Sequence, residues 1–143
     1  MRWLLVLLAL LMPAVSAAQD GTARYAAGQV WEYRTRAADA GSLLKIHEVE
    51  AAPAGTVYHI SLIGLSFGRG MAHGGEFGHM AVSREALDNS VTRLSDSKAI
   101  FPDPAEGIAK WRAAKAGVFT IPIAEIIENI LSTIANGAKA TDQ

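Results

Sequence analysis

An α+β fold, an antiparallel β-meander of three to four strands packed against two to three C-terminal helices, is predicted by three observations. Residues 28–67 hold three runs rich in Val, Ile, Leu, Thr and aromatics, separated by Ala/Asp/Gly and Ala/Pro/Gly breaks. Those breaks are too short for crossover connections, so neighbouring strands must run antiparallel. Residues 83–137 hold helix-start signals and an isoleucine stripe at helical spacing.

The first strand, Gln29 to Arg36, alternates strictly, with Trp31, Tyr33 and Thr35 on one face and Glu32, Arg34 and Arg36 on the other. Asp39-Ala-Gly-Ser42 supplies turn chemistry. The second run, Leu43 to Val49, sets Leu44 and Ile46 against Lys45 and His47, and Pro53-Ala-Gly55 turns the chain again. Thr56 to Leu65 is apolar on both sides: Tyr58, Ile60 and Leu62 point one way, Val57, Ile63 and Leu65 the other. A strand of that kind belongs inside a sheet covered on both faces. Phe77 to Val82 can supply a fourth.

Ser83 reads as an N-cap opening a helix with Leu87, Val91 and Leu94 on one stripe, ending near Ser95. Asp103-Pro104-Ala105-Glu106 opens another, with Asp as cap, Pro at the first helical position and Glu closing a capping box, and Gly117 as its C-terminal stop. Val118 to Thr120 is a short extended piece. From Pro122, the residues Ile123, Ile126, Ile127, Ile130, Leu131 and Ile134 follow helical spacing up to Asn136-Gly137.

At the N-terminus, Met1-Arg2, an apolar run from Trp3 to Met12, Pro13 and the small residues Ala14 to Ala18 have the layout of a secretory signal peptide. The run is about half the ~20 residues a bilayer span needs. Cleavage after Ala17 or Ala18 leaves about 125 residues, one domain's worth. The expected organisation is a cleaved leader at 1–18, a flexible lead-in at 19–27, one α+β domain at 28–137 and a disordered tail at 138–143. With no cysteine, such an exported chain relies on core packing instead of disulfides, and lipidation is excluded. Loss of Arg2 leaves twelve of the 13 Lys+Arg against 14 Asp+Glu, a net charge of −2. Nucleic acid is therefore not an expected partner.

Catalytic signatures are absent. Ser95-Asp-Ser-Lys98 has Ser-x-x-Lys spacing, but no Lys-Thr-Gly accompanies it and it reads as a polar turn. Gly68-Arg-Gly70 lacks the third glycine of a dinucleotide fingerprint. His47 and His59 can pair across adjacent strands, and Glu48 and Glu50 read as a solvated strand end. The stretch Ser66 to Gly78, with five glycines in thirteen residues, is the expected carrier of function, since loops on a rigid scaffold present binding groups. Its candidates are Phe67, Arg69, His73, Glu76, Phe77 and the adjoining His79. His73, Glu76 and His79 are also metal-ligand types within seven residues, although the intervening glycines break helical metal spacing.

The pattern Gly28-x-Val30-Trp31-x-Tyr33-x-Thr35-Arg36, then Ser42-x-Leu44, then His79-x-x-x-Ser83-Arg-Glu-Ala-Leu87 and Trp111, resembles a group of small exported bacterial proteins of uncharacterised function. The resemblance implies export and a single α+β domain, and transfers no catalytic residue, ligand or cofactor. The expected role is a small periplasmic binding or inhibitor-like module engaging a protein or cell-envelope component. The alternative is a small metal-binding protein or enzyme using His73, Glu76 and His79, and a third is an assembly accessory acting by interaction alone.

Overall fold

The computed structural model describes residues 24–68 and 74–141. The leader read at residues 1–18, and Arg69, Met71 and His73 of the Gly-rich stretch, lie outside them. Five strands, β1 (Val30–Tyr33), β2 (Leu43–Ala52), β3 (Gly55–Leu65), β4 (Gly75–Ser83) and β5 (Val91–Ser95), form one antiparallel sheet in the order β4-β3-β2-β1-β5. Three helices accompany them: α1 (Arg84–Asp88), α2 (Ala105–Ala114) and α3 (Ile123–Thr141). The α+β meander is therefore as expected, with β3 inside the sheet and one strand more than the pattern gives.

One face carries the main core. Trp31, Tyr33, Leu44, Ile46, Tyr58, Ile60, Leu62, Met80, Val82 and Val91 gather there with Leu87 of α1 and Ile123, Ile126 and Ile127 of α3. Each of those fully buried isoleucines stabilises the fold by about 1.5–3 kcal/mol relative to exposure. The other face carries Val57, His59 and Ser61 of β3, and α2 lies over it through Ile108, Gly107 and Trp111. Both faces of β3 are thus covered, which its two-sided burial requires.

The helix expected from Ser83 to Ser95 is corrected. Ser83 caps as expected, its Oγ accepting from Ala86 N at 3.1 Å, but the helix ends at Asp88. The Ser90 hydroxyl donates to Ala86 O at 2.6 Å and accepts from Ile123 N at 2.9 Å, fixing the exit to α3. Val91 to Ser95 then pairs with the otherwise open edge of β1, leaving Leu94 exposed. A row of unpaired strand donors and acceptors outweighs a three-residue helical stripe.

Three smaller departures follow the same logic. Tyr25, in the expected lead-in, is 2% exposed, packs edge-on against Trp31 and Tyr58 and donates to Asp88 Oδ1 at 2.6 Å. Helix α2 closes at Lys115, not Gly117: Lys115 takes φ 48°, and Ala116 N bonds to Trp111 O in a Schellman closure. Helix α3 runs through Gly137 to Thr141, where no proline stops it and an exposed glycine costs only about 1 kcal/mol.

Asp39, fully buried, accepts from Arg36 at 2.7 and 2.9 Å and from Ser66 N at 2.8 Å. Arg36 also donates to Ser66 O at 2.8 Å. This ion pair pins the chain where it enters the Gly-rich stretch.

Candidate functional site

The structure divides the residues that the sequence groups together. Phe67 and Phe77 meet edge-to-face, centroids 5.5 Å apart at 70°, and pack as partly buried side chains against the main core. Glu76 is exposed at the start of β4. His79 goes to the opposite face, because β4 takes three steps from Phe77 to Met80 while β3 takes two from Leu62 to Ile60. Such a bulge re-aims every side chain beyond it. Among the described residues no group of three or more His, Asp or Glu is arranged to hold a metal ion.

What His79 joins is a polar array beneath α2 with one fully buried ring at its centre. Its Nε2 lies 2.8 Å from Nδ1 of His59, with ring centroids 5.1 Å apart and planes at 25°. Those values describe an end-on imidazole–imidazole hydrogen bond. His59 is fully buried; its Nε2 has no hydrogen bond of acceptable geometry and faces Glu50 Oε2 at 3.3 Å. Arg112 reaches back from α2 to bind both Glu50 and Glu48 through one guanidinium nitrogen. The array therefore reads Arg112–Glu50–His59–His79.

Two sequence expectations are corrected here. His59 pairs with His79 and not with His47, because the register of β2 on β3 shifts between Ile46 and Glu48. His47 instead bonds Ser61 Oγ at 2.6 Å. Nor is Glu50 part of a solvated strand end: its side chain faces a buried ring and an arginine. Neither displacement is visible in alternation, because each depends on a bulge.

Electrostatics fix the protons. Arg112 holds the Glu50 carboxyl below its usual range, aided by His59 and opposed by desolvation, so it is a carboxylate. A bare Nε2 on His59 would present a lone pair to that carboxylate, whereas Nε2–H is attracted to it. With the proton on Nε2, His59 Nδ1 must accept from His79 Nε2–H, and His79 Nδ1 is left bare. No protein group bonds to that atom among the described residues. Burial, then the neighbouring His59 and His47, lower the His79 pKa, so the ring is neutral near pH 7.

His79 opens onto a cavity of about 410 Å³ lined also by Met80, Ala81, Trp111, Gly117, Val118 and Phe119. The outer wall is fixed: Phe119 N donates to Ala81 O at 3.0 Å, Ser83 N donates to Phe119 O at 2.9 Å, and Trp111 Nε1 donates to Gly117 O at 2.8 Å. The Trp111 indole also meets His59 edge-on at 5.0 Å. The result is a preformed, mainly apolar groove with one imidazole in its wall. Trp111, Val118, Phe119, His59 and Glu50 escape sequence reasoning; the one signal that could have found them is a histidine in the middle of a strand apolar on both faces.

Comparison with protein-family models, curated proteins and solved structures returns no significant match, so the site is read from its own geometry.

Proposed function

We propose that this protein is an exported, periplasmic binding module that takes an apolar group of a small envelope component into the groove between β4 and residues 116–119. The observation that carries this reading is the half-buried His79, backed by the fully buried His59, facing a preformed apolar cavity. Ligand sites combine apolar walls with a few fixed polar groups in this way. Export rests on the three-part leader at residues 1–18. Among the described residues, no helix is long and apolar enough to cross a membrane.

A neutral apolar fluorophore such as N-phenyl-1-naphthylamine tests the groove. The expected result is saturable binding at one site, reported also by Trp111 emission and abolished by Val118→Asp. Non-saturable binding, or equal binding to Val118→Asp, would refute it. For export, N-terminal sequencing of periplasmic material is expected to begin at Ala18 or Gln19; intact Met1 in a membrane fraction would contradict it.

A further inference from the structure

The groove's charge inventory narrows its ligand. Its lining side chains carry no lysine, arginine or carboxylate, and Arg112, the cation nearest the array, is already bonded to Glu48 and Glu50. The groups around the two rings are Glu50 and His47 from β2, with Gly107 and Trp111 of α2 packed on them; behind these, Arg112 of α2 bonds Glu50 and Glu48, Ser61 of β3 bonds His47, and Lys45 and Asp103 act on His47. One arginine thus faces two glutamates. Among the described residues no cation lines the groove beside His79, so the positive charge that would meet a bound anion there is a proton on the imidazole.

We propose that the groove binds an apolar monocarboxylate, and that binding takes up one proton from solvent onto the His59–His79 pair. In the empty site the two rings carry two protons, on His59 Nε2 and His79 Nε2. On binding, a third goes to His79 Nδ1 and donates to the ligand carboxylate. No bond in the ligand breaks. The two rings then share one positive charge, held between Glu50 at one end and the ligand carboxylate at the other. A neutral ligand has no use for Glu50 or the second ring, whereas a carboxylate needs both: one imidazole to reach the groove, and a buried second ring with a fixed carboxylate to hold the charge. A desolvated carboxylate stripped of such a partner is strongly disfavoured, which gives selectivity for acids that enter with a proton.

This inference rests on the groove being a ligand site, and the test separates the two. Octanoate and 1-octanol are titrated against the bound neutral fluorophore from pH 8.5 to 5.5. Octanoate affinity is expected to rise by up to about tenfold per unit fall in pH while His79 is neutral and the acid ionised, and octanol affinity to stay flat. His79→Gln, which keeps a neutral polar group of similar reach, is expected to flatten the octanoate profile; Glu50→Gln is expected to shallow it. Octanoate binding independent of pH, or an unchanged slope in His79→Gln, overturns proton-coupled capture while octanol binding still upholds the groove. Failure of both ligands to displace the fluorophore overturns both.

Discussion

Replacing Gly107 by alanine distinguishes a helix seated on His79 from one lying free on the surface. A Cβ at Gly107 would sit 2.4 Å from His79 Cβ, 2.9 Å from Cγ and 3.2 Å from Nδ1. The His79 Cβ atom is fixed by the β4 backbone and cannot swing away, so α2 itself must lift. Overpacking of this kind costs about 1–3 kcal/mol, while glycine to alanine within a helix returns about 1 kcal/mol. The expected balance is a net loss of about 0–2 kcal/mol, read as a urea midpoint that does not rise. Gly137→Ala in α3 is the control, since nothing lies within 4 Å of its added Cβ; there the midpoint should rise. A rise in Gly107→Ala matching that in Gly137→Ala would refute the packing of α2 on His79, and with it the closed array.

Three other outcomes are expected. Ile127→Ala, at a fully buried position, should lose about 2–5 kcal/mol; an unchanged urea midpoint would place the α3 stripe elsewhere. Lys115→Gly should gain up to about 1 kcal/mol by removing a left-handed non-glycine residue, and a loss would show that Lys115 makes a stabilising contact. Folding lowers the pKa of His79 and His47 below 6.5, mainly by burial, so the unfolded chain binds the more protons: stability present above pH 6.5 is lost as pH falls through the folded values. Glu50, lowered below 4.5 mainly by Arg112, extends the loss as pH falls further. Urea midpoints from pH 8 to 4 check the sign, and a rise on acidification would contradict it.

The meander was legible in the sequence because alternation and short turns are local signals, and Trp31, Ile60 and Ile127 sit where their spacing puts them. The fifth strand was not: Val91 and Leu94 fit a helical stripe, and only the open edge of β1, a long-range fact, draws them into the sheet. The site was half legible. His79 stood out beside the Gly-rich stretch, but its grouping with Glu76 and Phe77 ignored the bulge that sends it to the other face. Phe77 packs on the core, so truncating it should cost stability, in contrast to what a loop position implies. The other members of the array that His79 joins, His59 and Glu50, lie 20 and 29 positions from it in the chain, brought together by strand register.

The most direct test of the array is the protonation pattern of its two rings, read by two-bond ¹⁵N–¹H correlation at pH 7.5 with His59→Gln and His79→Gln for assignment. The structure predicts Nε2–H on both rings, with His59 Nδ1 accepting a hydrogen bond and His79 Nδ1 bare. Finding the proton of His79 on Nδ1, or that of His59 away from Glu50, would contradict the array and leave the groove without its proton acceptor.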